Sequence, residues 1–435
     1  MTNKHFKIGV VGLWHCGEIY SAGLAELGHE VIGIDGDKNV VANFLKNIPP
    51  LPEPGLAELL KKNRDTGRLR YTTDFAEMKN CDVVWITYDT PVSDMDDADM
   101  SSIYAALEAS APHFADGVLL VVSSQVPIGT SKEFERYIRG ARPGMKFDYV
   151  YTPENLRLGE AVRCFMEPGR VVIGADSDAA AKKVEEIFAP LKTATIRMSP
   201  ASAEMAKHAL NAYLATSVSF INDIADICEK TGADVLNVAR ALRSDPRIGP
   251  KAFLDAGLGF SGGTLGRDLK ALGAAAKNAK IDLPVIQSVY EKNLKRKDEI
   301  VVRLVSLIGN PKNQKIAIFG LTYKPGTKTL RRSRALEIAA DLSKMGAALS
   351  LYDPAVEESE LPKIKNASFS RDPYAAAVSA KAIVIVTPWP QFKELDFEKI
   401  VGVAPGAIVF DTANLLAGNA EAFRSAGMRY AGVGR

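Results

Sequence analysis

The residues Gly12-Leu13-Trp14-His15-Cys16-Gly17 follow an apolar run, KIGVVGL from Lys7 to Leu13, and open a helical pattern. Glycines at a strand-to-helix turn do specific chemistry. Gly12 supplies a tight turn, Gly17 lets the helix pack closely on the strand, and the free amides of the helix start face an anionic diphosphate. The middle position of this pattern calls for a third glycine, where backbone approaches the pyrophosphate, and here it is Trp14. Asp35 closes the next strand (GHEVIGID), about twenty residues beyond the turn, where an acid hydrogen-bonds a ribose 2′-hydroxyl and repels a 2′-phosphate. This favours NAD over NADP. The bland alternative is a nucleotide-type fold that has lost its cofactor, with Trp14 filling the cleft.

These residues need an architecture to hold them. KIAIFGL, from Lys315 to Leu321, repeats the first apolar run near the other end of the chain, and GAALSLYD, ending at Asp353, repeats the second. A third strand follows in each half, Asp82 to Thr87 and Ala382 to Thr387, each leading to a Thr-Pro turn. Short β-branched apolar runs alternating with helical patterns indicate parallel sheets covered on both faces. The middle differs. From Pro200 to about Lys230 neither Gly nor Pro interrupts the chain; Ser199 suits the cap, Pro200 the first helical position and Gly232 the stop. Such a helix is about 46 Å long, and further helical segments run to about Ile308. The expected fold is α/β, with two Rossmann-like doubly wound domains joined by a long central helix and a helical middle domain, divided as 1–199, 200–308 and 309–435. The long apolar face of the middle suggests a homodimer.

Composition narrows the function. Of 435 residues, 47% are hydrophobic and 24% charged, and the net charge of +2 gives no basic excess for nucleic acid. The run Lys295-Arg296-Lys297 reads as a solvated helix face. The four cysteines (Cys16, Cys81, Cys164, Cys228) and five histidines are scattered, which argues against a disulfide framework or a zinc site. The first residues lead into a strand without an apolar leader, and no run of about 18 apolar residues offers a membrane span; a cytoplasmic location is expected.

Several ordered motifs resemble the UDP-glucose/GDP-mannose dehydrogenase family of nucleotide-sugar dehydrogenases across nearly the whole chain. They are Glu53-Pro54-Gly55-Leu56, Thr90-Pro91, Ser124-Gln125-Val126-Pro127 with Gly129-Thr130, and Thr152-Pro153-Glu154-Asn155-Leu156-Arg157-Leu158-Gly159. The segment from Glu204 to Asn222 resembles the family's central helix, followed by Arg247-Ile248-Gly249, Tyr323-Lys324-Pro325 and Tyr352-Asp353-Pro354. The resemblance implies that NAD is held by Gly12, Trp14, Gly17, Asp35, Thr90, Ser124 and Gln125. It implies that Glu154 is a base or water-orienting group, that Lys207 and Asn211 hold the reacting sugar oxygen from one helix face, and that Asp268 activates water or orients the proton network. Leu156, Arg247, Phe260, Gly262 and Lys324 would contact the nucleotide sugar. Each has a plainer reading: Lys207 a solvated lysine, Asn211 a surface amide, Arg247 a partner of Asp245, Glu154 a helix cap.

One motif departs from the family. The signature loop G-F-G-G-S-C-F-P-K-D stands here as Gly259-Phe260-Ser261-Gly262-Gly263-Thr264-Leu265-Gly266-Arg267-Asp268, and Ala413 replaces an expected arginine in Asp411-Thr412-Ala413-Asn414. The family oxidises a primary alcohol twice, the second time through an adduct on the cysteine thiolate. A threonine hydroxyl is neither ionised nor strongly nucleophilic near neutrality. The sequence therefore points to NAD-dependent oxidation of a nucleotide sugar, a UDP-hexose, that stops after one hydride transfer. The alternatives are the full two-step 6-dehydrogenase, with the aldehyde oxidised as its hydrate, and a non-catalytic nucleotide-sugar-binding protein.

Overall fold

The computed structural model describes residues 4–93, 96–261 and 263–435. Two compact units emerge: residues 1–210 with 270–275, and residues 211–269 with 276–435.

The first unit is built on an eight-stranded sheet. Its strands are β1 (Lys7–Val11), β2 (Glu30–Ile34), β3 (Leu69–Thr72), β4 (Val83–Ile86), β5 (Val118–Val122), β6 (Phe147–Tyr151), β7 (Val171–Ala175) and β8 (Thr195–Met198). They lie in the order β3-β2-β1-β4-β5-β6-β7-β8, and only the β6/β7 pairing is antiparallel. Alternate residues serve opposite faces: Ile8, Val10, Val83 and Trp85 join one core and Val11, Ile34, Val84 and Ile86 the other. Both faces are buried, as a parallel sheet requires. The chain order reverses at β1/β4, which is where such a sheet opens a crevice beyond its carboxyl ends.

The second unit repeats this topology. Strands β9 (Lys315–Phe319), β10 (Ala348–Tyr352), β11 (Ala367–Phe369), β12 (Ala382–Ile385), β13 (Ile408–Asp411) and β14 (Arg429–Gly432) run parallel in the order β11-β10-β9-β12-β13-β14. In each half the expected third strand is the fourth in sequence. The strand missed, LRYT or ASF, is short and lies at the sheet edge, where little apolar pattern is needed.

The long helix spans Pro200–Thr231. Ser199 caps it by accepting the Ser202 amide at 3.2 Å, and Gly232 ends it at φ +77°. Helices Val235–Ser244, Thr264–Ala279 and Pro284–Ile308 follow. The Lys295-Arg296-Lys297 run corrects the reading of a solvated face: Arg296 is 1% exposed and binds Asp226 and Glu299, while Lys297 pairs with Asp341. A sequence of three cations does not reveal that acids on neighbouring elements await two of them.

Candidate active site

At the end of β1 the chain turns through Gly12 at φ +93°, a conformation side chains resist. The Gly12 amide donates to the Ile34 carbonyl at 2.9 Å, and the Leu13 amide donates to Asp35 Oδ2 at 2.8 Å. Asp35 Oδ1 accepts the Asp37 amide at 2.9 Å. The carboxylate thus fastens the glycine turn while retaining acceptor capacity for a ribose hydroxyl. A Cβ on Gly17 would lie 1.7 Å from the Gly12 carbonyl oxygen, so only glycine permits this helix–strand contact. Trp14 caps the His15–Glu26 helix at φ −85°, ordinary for any residue, and is 47% exposed; its indole does not fill a buried cleft. The ring of Tyr88 packs against Gly12 where a Cβ would otherwise stand.

The neighbouring turns are equally fixed. Thr87 Oγ1 donates to the Gly12 carbonyl at 2.7 Å, and Thr90 Oγ1 donates to the Gln125 carbonyl at 2.5 Å. Ser124 is buried and its hydroxyl has no hydrogen-bond partner among the described residues. A buried orphan hydroxyl beside a strand-end crevice fits a polar ligand, and with the glycine turn and Asp35 it fits NAD.

Glu53 is a residue whose work the sequence did not disclose. Its carboxylate accepts the Gly159 and Ala161 amides at 2.7 and 3.1 Å and pairs with His15 Nε2 at 2.9 Å. It therefore ties the first turn of the cofactor helix to the segment after Glu154. In the same helix Glu18 is fully buried and accepts the Leu51 amide at 3.4 Å, and its Oε1 has no partner among the described residues. Burial, opposed by that hydrogen bond and aided by Glu53 and Asp89, pushes its carboxyl up to about 9.

Lys207 is 6% exposed, which removes the solvated-lysine reading. Its ammonium donates to the Glu154 carbonyl at 2.6 Å and to Glu154 Oε1 at 3.1 Å. Glu154 Oε2 accepts the Leu156 amide at 2.7 Å, so Glu154 closes a turn rather than capping a helix, and Leu156 packs against the adjoining core. One turn earlier, Glu204 accepts the Gly129 and Ser131 amides at 2.6 and 2.7 Å and the Ser131 hydroxyl at 2.6 Å. The Glu204 carboxylate is thus spent on fixing the 129–131 turn.

In the second unit, Asn211 is 7% exposed and Asp268 fully buried, and the Asn211 amide donates to Asp268. Thr264 is the exposed first residue of the Thr264–Ala279 helix. Phe260 is 9% exposed, and Ser261 Oγ donates to the Tyr323 carbonyl at 3.3 Å. Gly262 lies outside the described residues. Arg247 is solvent-exposed and closes a two-pronged pair on Asp245, at 3.0 and 2.7 Å. The Lys324 ammonium lies 5.8 Å from the Tyr323 ring centre. The free cysteines Cys16, Cys81 and Cys228 are buried and Cys164 partly so. Burial, reinforced by Glu154 and Asp89, holds the Cys16 thiol well above its ordinary range.

A 3-2-1-4-5-6 strand order, a glycine turn at its switch point and an acid after the second strand define a dinucleotide-binding Rossmann-type fold. Three consecutive family models match the chain: the NAD binding domain over residues 6–192, the central domain over 201–295 and the UDP binding domain over 317–418. The chain belongs to the UDP-glucose/GDP-mannose dehydrogenase family, and is an NAD-dependent nucleotide-sugar dehydrogenase acting on a CH–OH group. It is 37% identical to UDP-glucose 6-dehydrogenase TuaD of Bacillus subtilis over 432 residues, covering 99% of this chain and 93% of that one. It is 36% identical to a UDP-glucose 6-dehydrogenase of Rhizobium meliloti, covering 99% of both. Among solved structures it resembles a UDP-glucose dehydrogenase of Pyrobaculum islandicum with TM-score 0.89 and 28% identity, covering 100% of this chain and 98% of that one. No helix among the described residues is long and apolar enough to cross a membrane.

Proposed function

We propose that this dehydrogenase oxidises a UDP-hexose once and releases a carbonyl product. NAD, when bound, accepts the hydride. The NAD contacts proposed are Gly12, Trp14, Gly17, Asp35, Thr90, Ser124 and Gln125. Lys207 and Asn211 hold the sugar oxygen, Glu154 takes the proton that oxygen loses, directly or through a water it orients, and Asp268 sets the Asn211 amide. Leu156, Phe260, Gly262 and Lys324 contact the nucleotide sugar, and Arg247 joins them by leaving Asp245. The functional domains proposed are 1–199 for NAD, 200–308 for the centre and 309–435 for the nucleotide sugar, in a cytoplasmic enzyme. The relatives named for UDP-glucose support the UDP-hexose reading.

The observation carrying the single oxidation is Thr264 at the head of its helix, in a loop without a thiol. A helix N-terminus stabilises negative charge on a bound carbonyl oxygen, but a neutral hydroxyl makes no lasting adduct from which a second hydride departs. Mass spectrometry with hydroxylamine in the reaction tests this. The trapped oxime of a sugar aldehyde or ketone is expected; a sugar acid with no oxime returns the two-step reading.

We also propose a homodimer through the long helix. Tyr213, Phe220 and Ile227 are 68%, 47% and 58% exposed and recur every seven residues, the spacing of a helix-pairing seam. Phe220→Asp is expected to give monomers by light scattering; an unchanged mass overturns this interface.

A further inference from the structure

Between helices Val235–Ser244 and Thr264–Ala279, residues 256–260 are buried or half-buried and lie in no strand. Buried backbone amides and carbonyls outside ladders must find partners elsewhere. Here three side chains supply them. Asn293, in the Pro284–Ile308 helix and 6% exposed, accepts the Phe260 amide through Oδ1 at 2.8 Å and donates through Nδ2 to the Phe260 carbonyl at 3.0 Å. Asn222, in the long helix and 1% exposed, accepts the Gly257 amide at 2.8 Å. Arg296, 1% exposed, donates Nε to the Gly257 carbonyl at 2.8 Å. Both polar groups of Gly257 and both of Phe260 are therefore held by side chains.

The loop is shaped to admit this grip. A Cβ on Gly259, which sits at φ +79°, would come 2.3 Å from Asn293 Oδ1. A Cβ on Gly257 would come 2.7 Å from the Thr412 carbonyl oxygen. Arg296 is itself held by Asp226 and Glu299, which also bind Lys292. Burial raises the Asp226 carboxyl, but the Lys292 and Arg296 bonds outweigh it and leave the group below its ordinary value. The anchor stays charged at neutral pH.

We propose that Asn293, Asn222 and Arg296 are positioning residues that clamp the 257–260 segment and so set where Phe260 and Thr264 meet the nucleotide sugar. This rests on the reading above that the 259–268 loop contacts substrate. Misplacing a substrate-positioning loop by about 1 Å costs up to about 100-fold in rate. Asn293→Ala in the full-length enzyme is therefore expected to lower kcat/KM for the nucleotide sugar by about 10- to 100-fold, with the NADH affinity read by fluorescence titration unchanged. Arg296→Lys keeps the charge facing Asp226 and Glu299 and gives up only the directed bond to Gly257; the same selective loss, smaller, is expected should Asn293→Ala not fold. Gly259→Ala attacks the same clamp from the loop, so its loss and that of Asn293→Ala should sum to less than additivity in the double variant. Phe260→Ala separates the two readings. A full loss of sugar affinity in Phe260→Ala with normal kinetics in folded Asn293→Ala and Arg296→Lys overturns the clamp alone. Normal kinetics in Phe260→Ala overturns the loop's contact with substrate and the clamp's purpose with it. Equal losses toward sugar and NADH, or full additivity with Gly259→Ala, reduce the three residues to general stabilisers.

Discussion

The two Rossmann-like halves begin with the same device and part company within a few residues. Gly12 at φ +93° and Gly320 at φ +84° each end a central strand. Each donates its amide to the second strand, at 2.9 and 2.8 Å. The next residue, Leu13 or Leu321, donates to an aspartate at that strand's end, Asp35 at 2.8 Å or Asp353 at 2.6 Å. The aspartate's other oxygen accepts an amide two residues on, at 2.9 Å in both. Beyond this the halves differ. In the first, a helix starts at His15 and Gly17 is pressed against the turn. In the second, the helix waits until Arg334, behind a loop carrying Lys324, Lys328, Arg331 and Arg332. Asp353 also accepts the Thr322 amide at 3.3 Å and the Trp389 indole at 3.1 Å, which consumes capacity that Asp35 keeps. An aspartate after the second strand is thus a fastener of the glycine turn first. Asp35 keeps the acceptor capacity that the proposed ribose contact needs, beside a helix start.

The largest expected effect tests whether the residues beside the first half are chemical rather than structural. Lys207→Ala should lower kcat by about 100- to 1000-fold with little change in sugar KM, because charge forming on the sugar oxygen loses its donor in the transition state. Unchanged kcat returns Lys207 to the role of a buried tie for Glu154.

Asp35→Asn and Asp353→Asn break the comparison itself. The first should weaken NAD binding by about 10-fold or more by calorimetry and narrow the preference over NADP, as the charge facing a 2′-phosphate is gone. The second should leave NAD affinity intact and show its effect in thermal stability or nucleotide-sugar affinity. NAD affinity lost equally in both would erase the distinction drawn between them.

A smaller effect concerns Glu18, in the helix that follows the first glycine turn. Its folded carboxyl lies near 9 against 4.5 for an ordinary glutamate. The native state keeps this proton while the unfolded chain gives it up, so stability is full below about 4.5 and falls as pH rises toward 9. Glu18→Gln should raise the melting temperature at pH 8 and flatten its decline between pH 5 and 9, by the equivalent of about 1–3 kcal/mol. An identical pH profile would show that the acid is ionised and solvated in place.

Much of this was readable in the residues. KIGVVGL and KIAIFGL predict buried parallel strands because a strand covered on both faces needs a continuous apolar run, and Ser199, Pro200 and Gly232 mark the ends of the long helix. Edge strands β3 and β11 were not readable, since a strand of three or four residues with one covered face carries too little pattern. The fingerprint positions were visible, but the ties that hold them were not. Glu53, Glu204, Asn293 and Arg296 are ordinary polar residues in helical or loop patterns, and only the folded chain brings to each the backbone amide or carbonyl it satisfies. Glu18 was hidden in the opposite way, as an acid in a helix's first turn, where sequence reasoning expects one near the surface.

The count of NADH formed per sugar tests the central claim most directly. With the nucleotide sugar limiting and NAD in excess, absorbance at completion should give one NADH per sugar in the wild type, and Thr264→Cys should move the count toward two if the loop is otherwise competent. Two NADH per sugar in the wild type would contradict the account, showing that a second hydride leaves without a thiol at position 264.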